Sequence, residues 1–293
     1  MAELRILTKK DMDAARRIYT ICFPNDEEAF VNYYFQKRTR PNWILGAFEG
    51  ESLIGTVHML PQTARFFGTE KSVCLIAGVA TLPGERGKGV AGSMLNAAFT
   101  IMRERGFCLT LLKPATEALA KYYEKFGYAV FARRDVYDLT LSDFSGVADI
   151  ETHTPSAAEL LQLYIAYAAG FNGMRTRTKQ DMKLLLEELT TYESGVFCGG
   201  GAYAICFFEE GEAHTLELAG EMPLPLLKAL GKKYGRVHAA VCANAPLISG
   251  KTFVRETFNL YKVLDENALF AGLSPDARAR FAEKEAFYCM EMY

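Results

Sequence analysis

One stretch constrains this chain more than any other. Residues 72–112 read SVCLIAGVAT, then LPGERGKG, then VAGSMLNAAFTIMRERGF, then CLTLL. The first piece is a continuous apolar run, the signature of a buried central strand. The second is a glycine-rich loop with two cations, Arg86 and Lys88. In the third, Val90, Met94, Leu95, Ala98, Ile101 and Met102 recur at helical spacing, and Gly106 suits the helix end. The fourth is a second buried strand, stopped by Pro114. A strand–loop–helix–strand order of this kind belongs to an α/β protein with a mixed sheet.

The loop is a candidate anion site. Glycine backbone approaches phosphate oxygens where a Cβ would clash, and the following helix N-terminus favours negative charge. Three phosphates compete for it. A P-loop requires lysine after the second glycine of its motif, and Val90 stands there after Gly89. Gly87, Gly89 and Gly92 spell the dinucleotide fingerprint G-x-G-x-x-G. That reading needs the first strand–helix turn and a ribose-binding acid about 20 residues on. Here the loop follows the fourth or fifth strand, and CLTLLKP ends in Lys113. The third spelling is R-x-x-G-x-A, on Arg86, Gly89 and Ala91.

Around this stretch, residues 1–145 read strand, two helices, three strands, helix, strand, helix, strand. The segment SDFSGVADIETHTPS is a polar junction. Residues 146–293 repeat the element order, from SAAELLQLYIAYAA and TKQDMKLLLEELT through GVFC, AYAICFF and AHTLELA to PLPLLKALGKKYG and VHAAVCA. No glycine loop follows LELAG, so one anion site per chain is expected. Two domains follow from this reading, 1–145 and 146–293.

Half the residues are hydrophobic and 23% are charged, which suits folded cores. The net charge of −2 speaks against a general nucleic-acid binder. No apolar stretch reaches the length of a membrane span and MAELRILTKKDMDAARRI lacks signal-peptide features, so a cytoplasmic protein is expected. Seven scattered cysteines without a C-x-x-C pair read as reduced, buried thiols. The four histidines, His58, His153, His214 and His238, are single and widely spaced, and no zinc-ligand spacing is present, so no metal is expected.

GVATLPGERGKGVAGSML resembles the central motif of the GCN5-related N-acetyltransferases (GNAT), in which R/Q-x-x-G-x-G/A wraps the coenzyme A pyrophosphate. Arg86, Gly89 and Ala91 match it, with Gly87, Lys88 and Val90 inside the wrap. ALAKYYEKFGY resembles the family's downstream helix, and Tyr123 falls where members place a thiolate-protonating tyrosine. Thr116 stands where asparagine is common. The two matches cover residues 5–140. The whole chain resembles the enhanced-intracellular-survival type, with two tandem GNAT-like folds, the second degenerate. That type adds a sterol-carrier-like third domain, which the tail here is too short to supply in full.

The resemblance implies a fold, a cofactor and roles. The fold is a tandem of GNAT-like acyl-CoA N-acyltransferase domains, and the cofactor is acetyl-CoA. The activity is transfer of acetyl to a primary amine of a small molecule, aminoglycoside- or polyamine-like, or of a lysine, by direct attack through a tetrahedral intermediate. Backbone amides of Val79 and Thr81 would meet the pantetheine and thioester, and Tyr123 would be the acid. The C-terminal carboxylate of Tyr293, or a Glu or Asp acting through water, would be the base. Trp43, Phe30, Tyr33, Tyr34 and Phe35 lie where the family builds its acceptor pocket, and tandem relatives assemble into homo-oligomers. A non-catalytic acyl-CoA-binding or assembly module is the competing reading; it would keep Arg86 to Ala91 without needing Tyr123.

Overall fold

The computed structural model describes residues 2–242 and 247–284. In chain order it forms β1 (Glu3–Ile6), α1 (Met12–Cys22), α2 (Glu28–Tyr33), β2 (Ile44–Glu49), β3 (Ser52–Phe66) and β4 (Thr69–Thr81). Then come α3 (Val90–Glu104), β5 (Leu109–Leu112), α4 (Glu117–Glu124) and β6 (Ala129–Thr140). There follow α5 (Ala157–Ala168), α6 (Lys179–Glu188), β7 (Ser194–Gly199), β8 (Ala202–Glu209), β9 (Glu212–Gly220) and α7 (Leu224–Tyr234). The last are β10 (Arg236–Cys242), β11 (Val254–Val263) and α8 (Glu266–Phe270). The mixed sheet and flanking helices are the expected α/β fold with GNAT-like order.

The described residues divide into two compact units, 2–129 with 259–279, and 130–258 with 280–284. This departs from a boundary at residue 145 in two ways, each with a hydrogen-bonding cause. β6 pairs antiparallel with β10 along its length, from Thr140↔Arg236 to Arg134↔Cys242, so it groups with the second unit. Leu260–Val263 of β11 pairs antiparallel with Leu112–Leu109 of β5. That pairing returns a late segment to the first unit. Buried Lys71 on β4 secures it by donating to the carbonyls of Ala268 at 3.2 Å and Ala271 at 2.5 Å, and Arg103 Nε donates to Leu264 O at 2.9 Å.

In the first unit the strands run β1-β2-β3-β4-β5-β11. β1 to β4 are antiparallel neighbours, and β5 joins β4 in parallel. The parallel join needs a crossover, and α3 supplies it. Met94, Leu95, Ala98, Phe99 and Met102 of α3 are buried, one stripe of the amphipathic pattern. Full burial of each large side chain contributes about 1.5–3 kcal/mol.

The second unit runs β6-β10-β9-β8-β7, with β9 and β10 parallel and α7 as crossover. Its core gathers Tyr137, Leu139, Phe144, Leu226, Leu227 and Leu230 among others. A buried ion pair, Arg177 to Glu217 at 2.8 Å through both oxygens, stands beneath the Tyr164 ring and takes the Tyr203 hydroxyl on Glu217.

The repeat inferred from element order extends to a bulge. In β3–β4 the register runs Thr56↔Ala80 then His58↔Ala77, so β4 carries one extra residue. In β8–β9 it runs Ile205↔Glu217 then Cys206↔Thr215, so β9 carries one too. A bulge bends its strand and sharpens the local twist. No described helix is long and apolar enough to cross a membrane.

Candidate active site

The bulge in β4 opens the site. β4 pairs with β5 only at Val73↔Leu109, Cys74↔Thr110 and Leu75↔Leu111. Beyond Leu75, β4 continues to Thr81 with β3 on one edge and no strand, among the described residues, on the other. Val79 and Thr81 lie on this parted length. Gly78 makes the bend: its φ is +53°, and a Cβ there would sit 3.0 Å from His58 Cγ. Backbone conformation and close approach both require glycine at this position.

A turn over Pro83–Glu85 leads from β4 into the loop. Arg86 is extended, and Gly87 and Gly89 both have φ of +80°. Nothing lies within 4 Å of a Cβ built at either glycine, so the left-handed backbone, not crowding, dictates their identity. Gly89 is the N-cap of α3, and the first helical bond runs from Ser93 N to Gly89 O at 3.0 Å. The N–H groups of Val90, Ala91 and Gly92 therefore have no intrahelical acceptor. With the helix dipole behind them they present the donors that an anion cradle requires.

Two cations flank the cradle, each held by a neighbour. Arg86 Nε donates to Thr81 O at 3.2 Å, and its guanidinium lies 3.9 Å from Cys22 Sγ, which itself donates to Thr81 O at 3.4 Å. Lys88 pairs with Glu85 at 2.9 Å, a contact that raises the lysine pKa. Both side chains are exposed and can be redirected by an incoming phosphate.

The helix carrying Tyr123 is set against this loop. Thr116 caps α4 by accepting from Leu119 N at 3.2 Å, a role the sequence supports. A Cβ at Gly92 would lie 3.1 Å from Phe126 Cζ and 4.0 Å from Tyr122 Oη, so the small residue lets α4 reach the first turn of α3. Tyr123 is buried, edge-on to Tyr122 and Tyr128 with centroids 5.5 Å and 5.8 Å away. Its hydroxyl makes no hydrogen bond among the described residues. Burial, with a smaller contribution from Tyr122, pushes its pKa up to about 12. Tyr293 lies outside the described residues.

A second group of side chains sits where α1 and α2 meet β3. His58 is fully buried; its Nδ1 lies 2.9 Å from Tyr34 Oη, and its ring stacks on Tyr34 at 5.6 Å. Tyr19 and Phe35 flank it at 6.0 Å and 5.8 Å, and Phe30 packs on Tyr34. Tyr19 Oη donates to Asp26 at 2.8 Å. Burial pushes the His58 pKa down to about 3, so the imidazole is neutral near pH 7. Its Nε2 has no partner among the described residues. Phe30, Tyr34 and Phe35 belong to this cluster. Trp43 does not: it meets Phe107 edge-on at 5.7 Å and lies beneath Arg105 at 4.3 Å. Tyr33 is buried with Arg38 over its ring at 5.8 Å. Sequence reasoning missed Tyr19, Cys22 and His58. A histidine inside the apolar run SLIGTVHML was the available signal for the last.

The second unit shows the same plan without the cradle. β9 and β10 pair only at Ala213↔Val237 and His214↔His238. Beyond them the Thr215 hydroxyl accepts from Ala240 N at 2.8 Å, bridging the gap that stays open in the first unit. Glu221, Met222 and Pro223 replace the glycine loop before α7.

Comparison with known proteins agrees with this geometry. Residues 3–131 match the family model described as an acetyltransferase (GNAT) domain. No curated protein matches the chain. Three solved structures are similar over most of its length. One is a GCN5-related N-acetyltransferase from Kribbella flavida, at TM-score 0.72 and 19% identity, covering 93% of this chain and 74% of that one. A probable N-acyltransferase from Enterococcus faecalis V583 has TM-score 0.76 and 13% identity, covering 92% and 74%. Eis1 from Mycobacterium abscessus has TM-score 0.74 and 14% identity, covering 93% and 76%. Residues 3–131 of this chain therefore match a GNAT acetyltransferase domain, and the chain carrying them has the fold that these three structures share.

Proposed function

We propose that this chain transfers the acetyl group of acetyl-CoA to a primary amine of a small molecule or a lysine. The observation that carries the reading is the parting of β4 from β5 at Leu75↔Leu111, leading directly into the Arg86–Ala91 loop. A thioester arm entering the parted edge would meet strand amides near Val79 and Thr81. Its pyrophosphate would lie on the unpaired N–H groups that start α3, with Gly87 and Gly89 keeping the approach clear and Arg86 and Lys88 adding charge.

Acetyl-CoA supplies the activated acyl carbon. The amine must arrive neutral, so its proton leaves to a base before or during attack. A C–N bond forms, the C–S bond breaks, and the departing sulfur takes a proton, which we assign to Tyr123. A phenol at about 12 looks too weak an acid for a thiolate of ordinary pKa about 8.5. Desolvation raises a thiol as well as a phenol. Within this protein it pushes the Cys108 thiol up to about 11 and the Cys206 thiol up to about 12. A thiolate desolvated to that degree on leaving would be matched to Tyr123.

A coupled thiol-release assay with acetyl-CoA and a panel of amines tests the proposal. Wild type releases coenzyme A in the presence of at least one amine, and Tyr123→Phe slows release while still binding coenzyme A. Tight binding with no release from any amine would favour the non-catalytic module.

A further inference from the structure

We propose that Glu212, His214 and His238 form a binding site for a borderline transition-metal dication, with zinc as the ion that fits best. The three are far apart in sequence, and strand pairing joins them. His214 on β9 and His238 on β10 are direct partners in the parallel ladder, so both side chains leave the same face of the sheet. Their rings stack at 4.1 Å between centroids and 11° between planes. Phe207, the partner of His214 on β8, stacks on the other side of His214 at 4.7 Å and fixes its orientation. Glu212 lies two residues before His214, hence on the same face, and its Oε2 is 2.7 Å from His238 Nε2.

One donor atom from each residue falls within 4.8 Å of the other two. Around a tetrahedral ion with bonds of about 2.1 Å the donors stand about 3.4 Å apart, so binding requires the His238 ring to turn out of the stack and bring its nitrogen toward His214 and Glu212. All three are half-buried, which leaves a route for the ion and a fourth position for water. The alternation along β9, where Ala213 and Thr215 are buried, directs Glu212 and His214 away from the core. Two imidazoles and one carboxylate suit zinc, and nickel or copper by the same donor chemistry, but not magnesium. Arg236 approaches Glu212 at 3.5 Å and also holds Asp138, the β6 neighbour of His238, at 3.2 Å. Asp138 is thereby engaged elsewhere, and the donor set stays at three.

A rival cluster, His153, Glu159 and Cys198, must be separated from this one. There Glu159 Oε1 already bridges His153 Nε2 at 2.8 Å and Cys198 Sγ at 3.6 Å. The test is a competition titration of zinc against a chromophoric chelator on the full chain, with cobalt substitution as an optical reporter. Wild type should bind zinc but not magnesium. His214→Ala and His238→Ala should each lose one equivalent while keeping the metal-free circular dichroism spectrum, and Glu212→Gln should bind more weakly. Cys198→Ser should bind as wild type does, and the cobalt spectrum should lack a thiolate charge-transfer band. Retention of the full equivalent by both histidine variants, its loss in Cys198→Ser, or no zinc binding by wild type would overturn the proposal.

Discussion

Gly89 separates backbone conformation from steric space, and so offers a sharp test of the anion cradle. It sits at φ of +80° with nothing within 4 Å of a built Cβ, so Gly89→Ala meets no neighbour. The cost is conformational, about 1–2 kcal/mol for holding an L-residue left-handed. For a unit of this size that is roughly 2–8 °C in melting temperature. If alanine escapes the strain by rotating the adjoining peptides, the N–H groups at the start of α3 turn from the phosphate. A lost hydrogen bond to a charged group is worth roughly 1.5–3 kcal/mol, or a 10- to 150-fold rise in Kd for coenzyme A. Gly84→Ala is the control: the same loop, equally open space, and no positive φ. Calorimetric titration with coenzyme A and thermal melts on both variants give the comparison. The reasoning fails if Gly89→Ala binds and melts like Gly84→Ala.

Other outcomes follow from the same structure. Tyr123→Phe should lower kcat by roughly 10²- to 10⁴-fold with little change in KM for acetyl-CoA, the share of a general acid; steady-state kinetics decide it. Arg177→Met should strip Glu217 of its buried counter-charge and destabilise by about 3–5 kcal/mol in urea melts, far more than removal of a surface pair. Between pH 6.5 and about 3 the unfolded chain protonates His58 while the native chain does not, so stability should fall as pH drops through that window. His58→Gln should flatten that part of a pH–stability profile.

Much of the site was readable in the chain because its constraints are local. A left-handed backbone at Gly87 and Gly89, a cap at Thr116 and a small contact at Gly92 each leave a residue-level trace. The parting of the strands was expected only through family resemblance, because its cause is a bulge seen only in the β3–β4 register. β4 extends beyond the apolar run SVCLIAGVAT, because the ribbon it forms with β3, PQTARFFGTE, mixes polar and apolar residues. β11 escaped notice for a different reason. TFVRETFNLYKV alternates weakly, and its partner β5 lies more than a hundred residues earlier. The pairing of His214 with His238 is equally non-local, so a search for ligand spacing along the chain finds nothing there.

The late pairing of β11 with β5 bears on how the protein is made. During synthesis the edge of β5 emerges well before Leu260–Val263, and residues 130–258 of the second unit must leave the ribosome first. Over that interval an apolar strand offers an unsatisfied hydrogen-bonding edge, which invites pairing with another chain. Cutting the gene after residue 145 would make that exposure permanent. A rearranged chain that transposes residues 259–279 to directly after α4, with residues 130–258 trailing, should shorten the interval and raise soluble yield.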